Sequence, residues 1–319
     1  MKIVILDGYT ANPGDLSWEK FEELGDVSVY EFTDVPDTVA RAKDADAVLA
    51  NKSLLTAKEI AQLPKLKYIG VLATGYNNID LKAASEHGIV VTNVPAYSTD
   101  SVAQTTFAHM LNLASSVADY NRRVHEGEWC GSHSPTYLAN PIFDLAGKTL
   151  GIVGLGNIGK KVCQIALAFG MNVCALTSKS QSELPQGVRK VSKEDLFSQS
   201  DFLSLHCPLS ETTRDIVCAE TLALMKPSAV VVNTSRGPLV NQEDMTKALV
   251  SGSIRAYCTD VLTQEPALPD NPLLKLPNAF ISSHIAWTSI EARTRLIDIA
   301  FQSLKDFAEG KKPATQINS

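Results

Sequence analysis

Three side chains in the second half of the chain have the chemistry to act together on a small carboxylic acid: Arg236, Glu265 and His284. An arginine presents a planar fork of N–H donors that fits a carboxylate. A histidine exchanges protons near neutral pH, and a neighbouring carboxylate stabilises its charged form and fixes the ring. Taken singly, the three are also compatible with a surface ion pair, a solvated loop acid and a helix cap. The hypothesis therefore depends on the elements that position them.

A glycine-rich turn near the middle of the chain supplies a context for this chemistry. The apolar run Thr149–Val153 is followed by Gly154, Gly156 and Gly159 in G-x-G-x-x-G spacing. A run with helical periodicity comes next, and then a second apolar run, Val173–Leu176. Strand, glycine turn, helix and strand form a dinucleotide-binding fingerprint, in which the pyrophosphate lies on the helix N-terminus. The alternative is an ordinary strand–helix turn that uses glycine.

Four later strands are predicted to deliver polar residues to one edge of a sheet. They cover 201–205 before His206, 229–233 before Thr234-Ser235-Arg236-Gly237, 255–259 before Asp260, and 279–282 before His284. Ligands of open α/β sheets bind beyond the carboxyl ends of strands. With a nicotinamide alongside, the trio predicts hydride transfer to or from a 2-oxo or 2-hydroxy acid. Arg236 would bind the carboxylate and polarise the keto oxygen, His284 would give or take the proton, and Glu265 would tune His284.

The segment after the second strand of the glycine-rich unit bears on the choice of cofactor. An acidic residue there usually binds the ribose 2′-hydroxyl of NAD. This chain reads Thr177-Ser178-Lys179-Ser180, and no acid appears before Glu183. Hydroxyls and a lysine suit a 2′-phosphate, so NADP is predicted to be accepted, or even preferred. In the alternative, Thr177 hydrogen-bonds the ribose of NAD, which leaves NAD and NADP both open.

Residues 1–100 repeat a strand-then-helix rhythm, which predicts a parallel sheet with helices on both faces. Strands are predicted over 2–6, 27–32, 47–50, 68–71 and 89–92, and helices over 16–24, 36–43, 56–63 and 79–85. Two loops follow strand ends, at 51–53 and 73–80. Thr74 and Gly75 are predicted to contact a ligand, because glycine lets backbone amides approach a small anion. Asn78 and Asp80 are predicted to cap the next helix.

A long helical stretch is predicted from Ser98 to Glu126, with Ser98 or Thr99 as its cap. Residues 127–146 then lose periodicity and contain several aromatic side chains. A loop of this length is usually functional or covered by a partner, which predicts a subunit interface. The alternative is a loop packed on its own chain. A final amphipathic helix is predicted over 289–309.

Composition narrows the class of protein. A length of 319 residues predicts two domains, and a net charge of -6 without a basic run argues against nucleic acid. No apolar segment reaches membrane-spanning length, and the first apolar run is too short for a signal peptide. The six cysteines show neither metal-ligand nor disulfide-framework spacing, which predicts no metal, reduced thiols and a cytoplasmic location. The histidines other than His284 are predicted to be structural.

The chain contains, in order, the motifs Ala73-Thr74-Gly75-Tyr76-Asn77-Asn78-Ile79-Asp80, Asn93-Val94-Pro95-Ala96-Tyr97-Ser98, Gly154-Leu155-Gly156-Asn157-Ile158-Gly159, His206-Cys207-Pro208-Leu209, Asn233-Thr234-Ser235-Arg236-Gly237, Asp260-Val261-Leu262, Glu265-Pro266 and His284-Ile285-Ala286-Trp287. Together they resemble the D-isomer-specific 2-hydroxyacid dehydrogenase family over nearly the whole chain. Within the family, Asn51-Lys52, Thr74-Gly75-Tyr76-Asn77-Asn78 and Trp287 after the histidine motif resemble the glycerate dehydrogenase or hydroxypyruvate reductase branch.

The resemblance implies two α/β domains, each a doubly wound parallel sheet. A flavodoxin-like substrate domain would comprise 1–100 and 287–319, and an inserted Rossmann NAD(P)-binding domain 101–286, with a dimerisation arm at about 119–146. It implies a homodimer, and Arg236, Glu265 and His284 as the catalytic trio. Substrate contacts are expected from Asn51, Lys52, Ala73, Thr74, Gly75 and Trp287. Cofactor contacts are expected from Thr106, Gly154, Gly156, Asn157, Ile158, Gly159, Thr177, Ser178, Lys179, Cys207, Pro208, Thr213, Thr234, Ser235, Arg236, Asp260, His284 and Ala286.

The leading functional hypothesis is an NAD(P)-dependent reductase of hydroxypyruvate or glyoxylate that yields D-glycerate or glycolate. The same chemistry on another small 2-oxo acid, such as 2-oxogluconate or a branched-chain 2-oxo acid, remains an alternative. A further alternative is a non-catalytic dinucleotide sensor, since some relatives are transcriptional corepressors. The intact trio and the lack of a long added tail argue against the sensor.

Overall fold

The structure, a computed structural model, describes residues 1–318. The chain forms two compact units. The first unit comprises Met1–Ser98 and the chain from Thr288 onward, and the second unit is Thr99–Trp287. The sequence placed these boundaries after residue 100 and before residue 287. Within residues 1–318, no helix is both long enough and apolar enough to cross a membrane.

A five-stranded parallel sheet forms the centre of the first unit. Its strands are β1 (Lys2–Ile5), β2 (Asp26–Val29), β3 (Ala47–Ala50), β4 (Tyr68–Val71) and β5 (Val90–Thr92). They lie in the order β2-β1-β3-β4-β5, with every neighbouring pair parallel. This is the flavodoxin-like order, so the fold predicted for this unit is confirmed.

Short helices connect these strands. They are the 3-10 helices Gly8–Thr10, Glu19–Leu24 and Val35–Asp37, and the α-helices α1 (Thr38–Ala42), α2 (Ala57–Ile60) and α3 (Leu81–Glu86). The helix predicted over 16–24 is thus a shorter 3-10 helix. It has no side-chain cap at Trp18, and Phe21 is its only buried residue. Thr56 caps α2, and Asp80 caps α3 as predicted, accepting from Ala83 N at 2.9 Å.

A seven-stranded parallel sheet forms the centre of the second unit. Its strands are β6 (Thr149–Val153), β7 (Asn172–Leu176), β8 (Val188–Lys190), β9 (Phe202–Leu205), β10 (Val230–Asn233), β11 (Ala256–Thr259) and β12 (Ala279–Ile281). The order β12-β11-β10-β9-β6-β7-β8 contains the Rossmann arrangement with one further strand beyond β11. The predicted inserted Rossmann fold is confirmed, with β8 as a strand that the sequence did not reveal.

The second unit contains six α-helices and three 3-10 helices in its described residues. The α-helices are α4 (Thr99–Ser115), α5 (Val117–His125), α6 (Asn157–Ala168), α7 (Lys193–Gln199), α8 (Ala219–Leu222) and α9 (Gln242–Ser251). The 3-10 helices are Gln181–Glu183, Gly237–Leu239 and Pro272–Lys275. The single helix predicted from Ser98 to Glu126 is wrong, because Ser116 takes a left-handed conformation, φ 50, that separates α4 from α5.

Alternate residues of the central strands pack on opposite faces of this sheet. Val230 and Val232 join the cluster that contains α4 and α6 side chains, whereas Val231 joins the cluster under α7, α8 and α9. Both faces of a parallel sheet are therefore covered, as the apolar character of these strands requires. The polar residues that follow the strands are left at the carboxyl edge.

The last helix, α10 (Ile290–Ala308), belongs to the first unit. Ser289 caps it by accepting from Ala292 N at 3.2 Å. Its aromatic side chains pack on the unit's core: Phe301 meets Phe21 edge to face, and Phe307 lies 5.1 Å from Tyr68 between ring centroids.

Candidate active site

The glycine turn between β6 and α6 is fixed by close backbone approaches. Gly154 has φ 91, and a Cβ there would lie 2.6 Å from Cys207 N. A Cβ on Gly159 would lie 2.2 Å from Gly154 O. Neither position accommodates a side chain, so the first and third glycines are required by the fold itself.

The middle glycine has a different role. A Cβ on Gly156 would meet nothing within 4 Å, so no protein atom requires glycine there. Gly156 is the N-cap of α6, no side chain caps the helix, and its first turn carries no acid. The amide groups of Asn157 and Ile158 therefore begin a helix whose N-terminus is open to an anion. This geometry fits the diphosphate of a dinucleotide.

The predicted cofactor residues beyond β9 and β10 form one connected group. Ser235 Oγ donates to Cys207 O at 2.9 Å, and Thr213 Oγ1 donates to Pro208 O at 2.7 Å. The hydroxyls of Thr106 and Thr234 are 3.0 Å apart and buried. The structure thus brings these segments together at the carboxyl edge of the sheet, beside the glycine turn.

The three residues predicted to be catalytic follow three adjacent strands. Arg236 follows β10, Glu265 lies in the loop after β11, and His284 follows β12. Gly237 packs so closely on the β11 loop that a Cβ would lie 2.0 Å from the carbonyl carbon of Leu262. Leu262 N in turn donates to Glu265 Oε1 at 2.9 Å. The segment that carries Arg236 is therefore locked against the loop that carries Glu265.

Glu265 and His284 are in direct contact. His284 Nδ1 lies 2.6 Å from Glu265 Oε2, and the two side chains are 33% exposed for Glu265 and 24% exposed for His284. Glu265 precedes Pro266 through a cis peptide bond. Arg236 is exposed, and one of its guanidinium nitrogens, Nη1, donates to Ser235 O at 2.7 Å. Arg236, a cation that can bind a carboxylate, and His284, an imidazole oriented by Glu265, thus lie on the same edge of the sheet.

Comparison with known proteins supports the same chemistry. Residues 107–286 match the family described as D-isomer specific 2-hydroxyacid dehydrogenase, NAD binding domain. The chain is 42% identical over 322 residues to a hydroxypyruvate reductase of Blautia hydrogenotrophica, with 100% of both chains covered.

The chain belongs to the D-isomer-specific 2-hydroxyacid dehydrogenase family.

Solved structures agree with this assignment. A protein of Thermus thermophilus superimposes with a TM-score of 0.88 at 31% identity, covering 99% of this chain and 100% of that one. An NADPH-dependent glyoxylate/hydroxypyruvate reductase of Sinorhizobium meliloti, in complex with NADP and malonate, gives 0.85 at 25% identity, covering 99% and 96%. This 2-hydroxyacid dehydrogenase is therefore an oxidoreductase that acts on CH–OH groups with a nicotinamide dinucleotide.

Asp260 holds the loop that carries the histidine of this dehydrogenase. Its buried carboxylate accepts from Ser282 Oγ at 2.6 Å, from Ile285 N at 2.9 Å and from Ala286 N at 2.7 Å. Asp260 O accepts from His284 N at 2.8 Å. These bonds maintain the left-handed backbone of His284, φ 59, which a non-glycine residue rarely adopts. The sequence placed Asp260 among the cofactor contacts and did not reveal this positioning role.

Two further histidines lie close to the site. His109 Nε2 is 3.1 Å from Ser282 Oγ, and burial lowers its pKa, an effect partly opposed by Asp260. His206 is half-buried beneath the glycine turn, where burial of its ring lowers its pKa to about 4. Its Nε2 contacts Ser204 Oγ at 2.9 Å, and its Nδ1 has no partner among residues 1–318. Both imidazoles thus pack into the scaffold around the site.

The predicted substrate residues of the first unit lie on two loops that are tied to each other. Asp7 accepts from Asn51 N and Ser53 N, each at 2.7 Å. Asn78 does not cap α3 as predicted, because its Nδ2 donates across to Ser53 O at 3.0 Å. Lys52 is exposed at the tip of its loop.

The second of these loops carries Thr74 beside Ala73 and Gly75. Thr74 is exposed and donates through Oγ1 to Val94 O at 2.8 Å. Asn93 Nδ2 donates to Thr74 O at 2.8 Å, so the loop is held from both sides. Trp287 belongs to the second unit and is 8% exposed.

Proposed function

We propose that this dehydrogenase reduces hydroxypyruvate or glyoxylate to D-glycerate or glycolate. The observation that carries the proposal is the His284–Glu265 contact on the strand edge that also carries Arg236. The bound nicotinamide would supply the hydride. Arg236 would bind the substrate carboxylate and polarise the keto oxygen, and His284 would give that oxygen a proton through Nε2.

The substrate proposal is supported by the relatives named hydroxypyruvate reductase and glyoxylate/hydroxypyruvate reductase. Asn51, Lys52, Ala73, Thr74, Gly75 and Trp287 are proposed to bind the substrate. The ordered loops of the first unit favour such a role, because bonds to Asp7 and Asn78 fix the 51–53 loop while Lys52 and Thr74 remain exposed.

The proposed cofactor preference is for NADP. Glu183 is the first acid after β7, and its Oε2 accepts from Ser180 N at 2.8 Å and from Ser180 Oγ at 2.7 Å. Since this carboxylate is turned back to cap its own 3-10 helix, it is not presented to a ribose hydroxyl. Thr177, Ser178 and Lys179 are left to receive a 2′-phosphate.

The arm at about 119–146 is proposed to form a homodimer interface. Val117, Leu138 and Ile142 are 67%, 76% and 58% exposed, and they line neighbouring parts of one groove. A contiguous apolar surface of this kind is typical of an interaction site. The six cysteines, all free thiols, support the proposed cytoplasmic location.

The decisive experiment measures oxidation of NADH and NADPH with hydroxypyruvate, glyoxylate, pyruvate, 2-oxogluconate and a branched-chain 2-oxo acid. The highest kcat/KM is expected for hydroxypyruvate or glyoxylate with NADPH. A higher value for another acid would replace the proposed substrate. No turnover on any acid, together with tight cofactor binding, would indicate a dinucleotide sensor. A strong preference for NADH would overturn the cofactor proposal alone.

A further inference from the structure

A buried acid joins the ends of two neighbouring strands in the first unit. Asp7 lies two residues beyond β1 and is 6% exposed. Its carboxylate accepts from the backbone amides of Asn51, Lys52 and Ser53, which directly follow β3, with Asn51 N and Ser53 N each at 2.7 Å. Among residues 1–318, no cationic side chain makes a salt bridge with Asp7. The three amides therefore provide the stabilisation that a buried carboxylate requires.

These two strand ends mark the place where the order of the sheet reverses. β1 pairs in parallel with β3, β2 lies on the far side of β1, and β4 lies on the far side of β3. In open α/β sheets, ligands bind outside the carboxyl ends of the strands at such a point. Backbone amides that converge on one place form an anion site. In this protein the anion is the side chain of Asp7, so the three amides are occupied from within the fold.

The opposite side of this loop is also held. Asn78 Nδ2 donates to Asn51 O at 3.4 Å and to Ser53 O at 3.0 Å. Asn51 and Ser53 are 4% and 7% exposed, whereas Lys52 between them is exposed. Since Asp7 and Asn78 fix the backbone from two sides, the direction in which the side chain of Lys52 leaves the loop is set.

We infer that Asp7 is a positioning residue for the substrate site: its carboxylate occupies the amide-lined anion site after β3 and thereby sets the position of Lys52. The inference rests on the proposed function, in which Lys52 binds the substrate. Asp7 itself is assigned neither a contact with the substrate nor a proton transfer. When its side chain is removed, a small external carboxylate is expected to bind in its place, because the three amides remain.

Removal of the carboxylate has a defined physical consequence. Three N–H groups lose their acceptor, and an unsatisfied buried donor destabilises the conformation that buries it. The loop then gains conformational freedom, so substrate binding must order Lys52 again and becomes weaker. The residues proposed to bind the dinucleotide lie in the second unit, Thr99–Trp287, so cofactor binding should not change.

Steady-state kinetics provide the first test. Asp7→Ala should raise KM for the preferred 2-oxo acid about 10- to 100-fold, the value of one hydrogen bond to a charged group, and should change kcat less than KM. The dissociation constant of the cofactor should stay at the wild-type value. Asp46→Ala is the matched control, because Asp46 also accepts from a backbone amide, Lys2 N at 2.8 Å, but at the amino edge of the same sheet. Its KM should equal that of the wild type.

A double-mutant cycle tests whether Asp7 acts through Lys52. Lys52→Met removes the ammonium group and should itself raise KM. Adding Asp7→Ala to Lys52→Met should then have little further effect, because no ammonium group is left to position. Fully additive effects on KM would show that Asp7 acts independently of Lys52 and would overturn the inference.

Thermal unfolding in the presence of formate tests the anion site without substrate. Formate supplies the carboxylate that Asp7→Ala lacks, so it should raise the Tm of this variant more than that of the wild type or of Asp46→Ala, and should lower its raised KM. Sodium chloride at equal ionic strength corrects for screening. Asp7→Asn keeps the volume of the side chain and leaves no room for formate. It should show the raised KM without the response to formate, and it preserves the kinetic test if the alanine variant does not fold.

The outcomes separate this inference from the proposed function. A wild-type KM in Asp7→Ala and Asp7→Asn, or a rise in KM matched by Asp46→Ala, would overturn the positioning role. A formate response of Asp7→Ala no larger than that of the wild type would overturn the anion site. In these cases the reductase proposal stands, because the wild type still turns over. A wild type without turnover on any 2-oxo acid would instead overturn the proposed function and with it the role of Lys52, whereas the effect of formate on Tm is measured without substrate.

Discussion

Glu265 Oε2 lies 2.6 Å from Nδ1 of His284, while Glu265 Oε1 accepts from Leu262 N. The loop of Glu265 therefore fixes its carboxylate, and the fixed carboxylate orients the ring of His284. In the neutral histidine, a carboxylate at Nδ1 favours the tautomer with its proton on that nitrogen. Nε2, which has no partner among residues 1–318, is then the lone-pair nitrogen, and in the proposed mechanism it would exchange a proton with the substrate.

We expect His284→Gln to lower kcat about 10²- to 10⁴-fold, the contribution of a positioned acid–base group. Because His284 is not part of the glycine turn, the dissociation constant of the reduced cofactor should stay close to that of the wild type. Stopped-flow turnover and fluorescence titration measure the two quantities. Retained turnover would remove His284 from its proposed role.

Asp260→Asn should impair catalysis although Asp260 is assigned no proton transfer. The amide replaces one acceptor oxygen by a donor that faces a backbone N–H, so the His284 loop should lose its left-handed geometry. We expect kcat to fall about 10²-fold, as for a misplacement of roughly 1 Å. Stability should fall by about 2 kcal/mol, the value of a buried bond to a charged group. The exposed Asp270→Asn is the control, and equal kcat values in the two variants would contradict the positioning role.

Substitutions at the glycines of the turn should affect stability and cofactor binding differently. Gly159→Ala places a Cβ 2.2 Å from Gly154 O, so we expect a marked fall in thermal stability. Gly156→Ala meets no protein atom and should lower stability by no more than about 1 kcal/mol, the usual cost at an N-cap. It should nevertheless weaken cofactor binding, because the methyl group occupies the approach of the pyrophosphate. Calorimetric scanning and cofactor titration of both variants test this, and unchanged binding in Gly156→Ala would refute it.

His206 should make stability depend on pH. Its pKa is lowered from 6.5 to about 4 by burial, so between these values the unfolded chain binds a proton that the native protein does not. Stability should therefore fall as pH decreases through this window, by about 3 kcal/mol in total. Urea unfolding at pH 7, 6 and 5 should show a shallower decline for His206→Gln, which can keep the bond to Ser204. The exposed His133→Gln should behave like the wild type, and an unchanged slope in His206→Gln would contradict the assignment.

Leu138→Asp should convert the proposed homodimer into a monomer. Leu138 is 76% exposed in the arm, and a carboxylate buried at an apolar interface is costly. Sedimentation velocity measures the change. Val250→Asp is the control, because Val250 is 70% exposed on α9, outside the arm. A wild type that sediments as a monomer would refute the interface.

The central strands of the fold were predictable because their apolar runs are continuous and end in polar residues. β6, β9 and β10 were each located within one residue. β8 was missed, since only Val188 of its three residues is buried and no periodicity can be read from it. The end of α4 was missed because Ser116, and not a glycine or proline, adopts the left-handed conformation.

The site was predictable to the extent that it depends on strand ends. Arg236 follows the buried strand β10 and His284 follows the half-buried strand β12, so their placement on one edge follows from parallel topology. The role of Asp260 depends on the backbone conformation of the loop after β12, and residue spacing does not predict that conformation.

The discontinuity of the first unit has a consequence for synthesis on the ribosome. Thr99–Trp287 is continuous, so the dinucleotide-binding fold can form as soon as that stretch has emerged. The first unit cannot complete its core until α10 has been synthesised. The end of the chain also pairs with β5, because Val91 N donates to Asn318 Oδ1 at 2.8 Å and Ile317 N donates to Val91 O at 2.9 Å. During translation, the nascent chain would therefore be able to capture its cofactor before it is able to recognise an acid.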